Sequence, residues 1–240
     1  MKIEVWSDFV CPFCYIGKRR LEKAIEDFPQ KDDVTIEYKS YELDPNAEVN
    51  PGLNMHEYLA TKKGMSVEQA KNMNESLGEQ AAEVGLTYNF DTMQHTNTFD
   101  AHRVAQYATG QGKGKEMTER LLHAYFTESK LISDHETLTA LAEEVGLNGD
   151  EVTALLEVNN YANHVRGDEE QAREIGVQGV PFFVFNEKYA VSGAQPAEVF
   201  TEVLEQVWEE EREKPVLQSL TPKKSKTMYC TDEGCEIKEN

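Results

Sequence analysis

The sequence predicts an α/β fold made in two pieces, with a long all-helical stretch inserted between them. Three observations carry this. An apolar run, Ile3 to Trp6, gives way to a helical pattern with Leu21, Ala24, Ile25 and Phe28 on one face, and Val34-Thr35-Ile36-Glu37-Tyr38 then alternates with the period of a strand. Near the other end, Phe182-Phe183-Val184-Phe185 and Lys188-Tyr189-Ala190-Val191-Ser192 flank the polar pair Asn186-Glu187, which predicts a hairpin. A last helix follows, with Val199, Phe200, Val203, Leu204 and Val207 on one face. Between the two pieces, residues 54–170 keep helical spacing.

Taken in order, Pro29 and Gln30-Lys31-Asp32-Asp33 make the first loop, and Asn50-Pro51-Gly52 marks a boundary. Residues 55–63 read as a short helix. Ser66-Val67-Glu68-Gln69 partly caps the next, which carries Ala70, Met73, Leu77, Ala81 and Val84. Three helices end on one pattern: Glu83-Val84-Gly85-Leu86, Glu144-Val145-Gly146-Leu147 and Glu174-Ile175-Gly176-Val177. Glycine past the last turn, then an apolar residue, is a helix stop; the unequal spacing argues against an internal repeat. Further helices are predicted over 98–108, 115–128, 134–145, 150–158 and 160–175, with Ser133 or Asp134 as the cap of the third. Gly110-Gln111-Gly112-Lys113-Gly114-Lys115 fails as a phosphate loop, because Glu116 follows the lysine and a helix precedes the glycines, so it reads as a helix–helix linker.

The chain has 240 residues, 39% of them hydrophobic, with 44 acidic against 24 basic side chains and a formal charge of −20. Nucleic-acid binding draws on neutralised phosphates, so so acidic a chain is a poor candidate. No apolar run approaches the roughly 20 residues that span a bilayer. Met1-Lys2 leads straight into Ile3-Glu4-Val5-Trp6 with no signal-peptide pattern, and the expected location is the cytoplasm. Thiols there are kept reduced, so a close cysteine pair is catalytic or metal-binding rather than structural.

That pair is Cys11-Pro12-Phe13-Cys14, placed where a strand turns into a helix. Proline suits the first helical position. Cys11 would then sit at the helix N-terminus, where unpaired N–H groups and the macrodipole favour a thiolate. Cys14, one turn inside, would attack a mixed disulfide formed on Cys11. The competing reading is half of a zinc site, since the same spacing serves metal ligands.

Three stretches together resemble the DsbA-like oxidoreductases, a thioredoxin fold with a helical insertion, and within them the FrnE-like branch: Ser7-Asp8-Phe9-Val10-Cys11-Pro12-Phe13-Cys14-Tyr15-Ile16-Gly17, Thr98-Phe99-Asp100-Ala101-His102-Arg103, and Gly179-Val180-Pro181-Phe182. The resemblance covers about residues 1–214. It implies a first thioredoxin-fold part at 1–48, a helical insertion domain at 49–170 and a second thioredoxin-fold part at 171–214; beyond it, the polar stretch from Pro215 reads as a flexible C-terminal extension at 215–240. It also implies that Pro181 is cis beside the reactive thiol and that the Val180 backbone is open to a substrate peptide. A related branch, similar to hydroxychromene-carboxylate isomerases and kappa-class glutathione transferases, activates glutathione with a serine at the first motif position. Cysteine at both positions here favours dithiol–disulfide cycling, with that branch and glutathione as co-substrate the alternative. Cys11, Cys14 and Pro181 are the expected catalytic residues, and Val180, Phe13, His102 and Arg103 the expected substrate contacts. A cation at His102 or Arg103 would favour a Cys11 thiolate; the bland alternative for both is a contact between insertion and frame. The other histidines show no metal spacing, and no resident cofactor is expected.

The extension carries a second pair in Met228-Tyr229-Cys230-Thr231-Asp232-Glu233-Gly234-Cys235, after the polar Pro222-Lys223-Lys224-Ser225-Lys226. Gly234 allows a turn that would bring Cys230 and Cys235 within disulfide range. Three readings stand: a second redox pair exchanging with Cys11 and Cys14, a structural staple, or a four-cysteine zinc site. The expectation is a protein disulfide oxidoreductase. Its partners would be protein or small-thiol disulfides and a regenerating thiol protein, not nucleic acid or membrane.

Overall fold

The computed structural model describes residues 1–49, 52–212, 226–231 and 234–239, the last two segments by the course and pairing of their backbone. The chain forms two compact units, Met1–Trp208 and Glu209–Asn240.

The first unit holds a four-stranded sheet in the order β2-β1-β3-β4. β1 (Lys2–Ser7) and β2 (Thr35–Ser40) are parallel and joined through α1 (Pro12–Asp27). β3 (Phe182–Phe185) lies antiparallel beside β1, with Phe183 opposite Val5, and turns back into β4 (Tyr189–Ser192). Because side chains alternate along a strand, Ile3, Val5, Phe183 and Phe185 share one face. There they meet Leu21 and Ala24 of α1 and Phe200 and Leu204 of α9 (Ala197–Arg212). Each fully buried phenylalanine contributes about 1.5–3 kcal/mol, so this face holds the frame together. Trp6 points the other way, onto Ala172 and Val177. Strand, helix, strand and then hairpin, helix is the thioredoxin fold.

Among the described residues seven helices separate the two parts: α2 (Met55–Lys63), α3 (Val67–Ala82), α4 (Phe99–Gly110), α5 (Gly114–Phe126), α6 (His135–Glu144), α7 (Gly149–Glu157) and α8 (Ala162–Glu174). The cap at Ser66 is a full capping box with Gln69, and Asn54 forms a second with Glu57. The three glycine stops share one geometry. Gly85, Gly146 and Gly176 have φ of 76°, 86° and 79°. Leu86, Leu147 and Val177 then donate their N–H groups back to Ala81, Ala142 and Ala172 at 3.0, 3.0 and 2.8 Å. Of the 110–115 stretch, residues 111–113 link α4 and α5, while Gly110 ends α4 and Gly114 and Lys115 open α5.

The boundary expected at 170 falls inside α8, and the packing shows why. The Trp6 indole donates to the Asp168 carbonyl at 2.9 Å, and the Asp168 carboxylate accepts from the Ser40 N–H at 2.8 Å and from Gln106 of α4 at 2.6 Å. α8 therefore covers the second face of the sheet as well as closing the helical stretch.

In the other unit, β5 (Lys226–Thr231) and β6 (Gly234–Glu239) form an antiparallel hairpin with Cys230 directly opposite Cys235. The sequence predicts a flexible extension here, and Lys226, placed in its most flexible part, instead opens a strand. The stop expected at Pro215 and the rest of the 222–226 stretch lie outside the described residues, as do Asn50 and Pro51.

Candidate active site

Cys11 is the N-cap of α1, with extended backbone (φ −89°, ψ 109°), and Pro12 follows inside the first turn. Two backbone bonds fix the turn: the Cys11 N–H to the Asp8 carbonyl at 3.1 Å, and the Cys14 N–H to the Cys11 carbonyl at 3.0 Å. No side chain caps this helix and no acidic residue lies in its first turn. The positive end of the macrodipole is left beside the sulfur.

The facing wall comes from the second half of the frame. The Val180–Pro181 bond is cis, and the Cys11 thiol donates to the Val180 carbonyl at 3.6 Å. The Pro181 carbonyl accepts from the Gly193 N–H at 2.8 Å. α1 can lie against this loop because Gly17 has no side chain. A Cβ there would stand 3.1 Å from both Phe183 Cζ and Pro181 Cγ.

Exposure does not separate the two cysteines: Cys11 is 4% and Cys14 2% exposed. Chemistry does. Burial, and then the neighbouring Cys11, push the Cys14 thiol well up from its ordinary value, against smaller opposite effects from Ser7 and the Asp8 backbone. Cys14 is held as a protonated thiol while Cys11 occupies the helix end.

Beneath the motif, Asp8 is 1% exposed and accepts from the Leu43 N–H at 2.7 Å. His102 Nε2 lies 3.4 Å from Asp8 Oδ1, and its ring packs on Phe9 at 4.6 Å. Arg103 donates to the carbonyls of Leu155, Val158 and Asn160 and to Asp100, so it closes the C-terminal end of α7. Both side chains are interior, 2% and 3% exposed, rather than on a surface that a substrate would touch. His102 is brought to the motif and Arg103 is not. Phe13 is 45% exposed at the helix start, and Val180 is half-buried across from it.

Two further groups reach the motif from the inserted segment, Tyr88 from the stretch between α3 and α4 and Glu119 from α5. The Tyr88 hydroxyl donates to the Pro12 carbonyl at 2.7 Å. Glu119 of α5 accepts from Tyr15 at 2.6 Å, from Lys18 at 2.5 Å and from Arg19 at 2.9 Å. Burial alone would raise the Glu119 carboxyl, but Arg19 and Lys18 overcome it and hold it at about 2. Nothing in the spacing of Tyr88 or Glu119 announces these contacts. Tyr15, Lys18 and Arg19 do fall on one helical stripe, which is the signal that a shared acceptor exists. Among the described residues no three His, Cys, Asp or Glu side chains gather as a metal-binding group, and no helix is long and apolar enough to cross a membrane.

A thioredoxin frame with a C-x2-C pair at the helix start and a cis proline facing it defines a thiol oxidoreductase class. The chain belongs to the DsbA-like thioredoxin domain family, whose model matches residues 2–205. The uncharacterized protein YwbO of Bacillus subtilis (strain 168) is 31% identical over 204 residues, 84% of this chain and 94% of that one. A crystal structure of a probable DsbA oxidoreductase from Streptomyces coelicolor is 39% identical, with a TM-score of 0.86 over 99% of each chain. The cytosolic disulfide reductase DsbM from Pseudomonas aeruginosa (16% identity, TM-score 0.63, 88% of this chain and 100% of that one) shares the fold. So does a 2-hydroxychromene-2-carboxylate isomerase (18%, 0.68, 90% and 100%).

Proposed function

We propose that the protein is a thiol–disulfide oxidoreductase that cycles Cys11 and Cys14 between dithiol and disulfide through a mixed disulfide on Cys11. The observation that carries this reading is the asymmetry of the pair. Cys11 caps α1 beside Val180-Pro181, whereas burial keeps Cys14 protonated one turn inside. The thiolate is the nucleophile in such exchange, so Cys11 attacks and Cys14 resolves. Pro181 shapes the wall opposite Cys11, and Phe13 and the Val180 backbone border the approach of a disulfide-bearing peptide or small thiol. A thiol partner protein in the cytoplasm regenerates the pair. Glutathione enters, if at all, as a thiol substrate, because cysteine stands where the isomerase-like branch uses serine. Insulin-disulfide reduction by wild type and Cys11→Ser protein tests the reading, and activity that survives the loss of Cys11 overturns it.

Cys230 and Cys235 form a second redox pair that exchanges with the first. Direct cross-strand opposition in the β5–β6 hairpin supports this, since such partners have Cα atoms about 4.5–5.5 Å apart, inside the disulfide range. In protein carrying Cys230→Ser and Cys235→Ser the oxidation rate of Cys11 and Cys14 changes; an unchanged rate removes the exchange.

A further inference from the structure

In a chain of formal charge −20, one cleft of the first unit carries the opposite sign. Its volume is about 730 Å³, and α1, β2, the residues that follow α3 and the starts of α5 and α9 all contribute to its lining. Five cations, Arg19, Arg20, Lys23, Lys31 and Lys115, line it against three carboxylates, Glu22, Glu26 and Glu83. Pairing sharpens the imbalance. Glu22 is held by Lys18 and Arg19, each at 2.8 Å, and Glu26 by Lys23 at 3.5 Å. Arg20, Lys31 and Lys115 meet no carboxylate among the described residues. The Arg20 guanidinium donates to the Ala194 carbonyl at 2.5 Å, which fixes its position without cancelling its charge. Only Glu83 stands against these three cations, so the lining keeps an excess of two positive charges. The rest of the lining is apolar: Ile25, Ile36, Val84 and Ala197, each half-buried. An apolar wall with a few polar groups, in a volume of about 300–1,000 Å³, is the usual make-up of a small-molecule site.

We propose that this cleft binds an organic phosphate monoester, a dianionic head on an apolar body. Such a head carries about −2 near neutrality, which matches the excess in the lining. A guanidinium held in place can meet two phosphate oxygens at once, and Lys31 and Lys115 add point charges. The apolar body is what Ile25, Ile36 and Val84 select. A bare anion leaves their surface in water, and a neutral molecule leaves the three cations unanswered. Neither Cys11, Cys14 nor Pro181 lines the cleft, so the site stands apart from the thiol reaction and does not rest on it.

The test is isothermal titration calorimetry of the full chain with 1-naphthyl phosphate. Wild type binds it at one site, and Lys31→Glu/Lys115→Glu protein binds it more weakly by about tenfold or more. Both lysines are exposed, so the variant folds. The control is Lys63→Glu/Lys71→Glu, which changes the net charge equally at two exposed lysines outside the cleft and keeps the wild-type affinity within about twofold. Inorganic phosphate and 1-naphthol, each lacking one half of the ester, bind more weakly than it by about tenfold or more. Absence of saturable binding to wild type, or equal weakening in the two double variants, overturns the site. Inorganic phosphate bound as tightly as the ester overturns the ligand class.

Discussion

The Cys11 thiol lies 3.6 Å from the Val180 carbonyl, although 169 residues separate them. The site therefore exists only when both halves of the frame have come together. The thiol at the start of α1 and the backbone that leads into β3 meet nowhere else in the chain's order.

If Cys11 is the nucleophile, Cys14→Ser protein accumulates the mixed disulfide that wild type resolves. Mass spectrometry after mixing with oxidised glutathione then finds one adduct per chain, located on Cys11, and none in Cys11→Ser protein. An adduct of equal yield in Cys11→Ser would reverse the roles.

Gly17→Ala and Gly78→Ala give opposite signs. Both put alanine into a helix, a gain of about 0.8–1 kcal/mol. At Gly78 nothing lies within 4 Å of the new methyl group, so the gain is kept. At Gly17 the methyl presses on Phe183 and Pro181 at 3.1 Å, and both neighbours are buried. Overpacking costs about 1–3 kcal/mol, which outweighs the gain. Thermal denaturation shows a raised midpoint for Gly78→Ala and a lowered one for Gly17→Ala.

Removing Glu119 takes one of two carboxylate partners from a lysine that is 3% exposed. Breaking a buried ion pair costs about 3–5 kcal/mol. Here Glu22 still reaches Lys18 at 2.8 Å and Glu119 is itself 32% exposed, so Glu119→Gln costs less, about 2 kcal/mol. The acid limb follows the same group. Its folded carboxyl, at about 2, lies below the ordinary 4.5, so its stabilisation is complete above the ordinary value and is lost as pH falls toward 2. Urea titrations at a series of acidic pH values show a shallower loss for Glu119→Gln than for wild type.

Tyr88→Phe removes one hydrogen bond to Pro12 and keeps the ring between Tyr15, Phe90 and Phe126. The expected cost is about 0.5–1.5 kcal/mol, read from denaturant midpoints of the reduced protein. A loss several times larger would mean that the hydroxyl does more than hold the Pro12 carbonyl.

What the sequence makes legible is local. Ser66 with Gln69, the three glycine stops and Pro12 after Cys11 announce their elements because the chemistry lies within a few residues. Gly17 is different: it sits in the motif, but its reason is a proline ring brought from the far end of the chain. His102 is visible as a residue on a helix, yet its inward direction depends on Phe9 and Asp8. Arg103, next to it, turns to the end of α7, whose carbonyls no spacing could assign to it. The covering of the sheet by α8 escapes for the same reason, since it depends on Trp6 and Asp168 meeting across 162 residues. At Cys230 and Cys235 the polar surroundings masked a strand pair that Met228-Tyr229-Cys230-Thr231 alone could suggest.

Tyr15, Lys18 and Arg19 occupy the turn after Cys14, and Glu119 holds all three. The inserted helices are thus a foundation for the reactive helix and not a detachable cover. Cutting them away to leave a minimal thioredoxin frame would take the shared carboxylate from Tyr15, Lys18 and Arg19 and free the helix that carries both thiols. By the same linkage, whatever displaces α5 reaches Cys14 within one turn of helix.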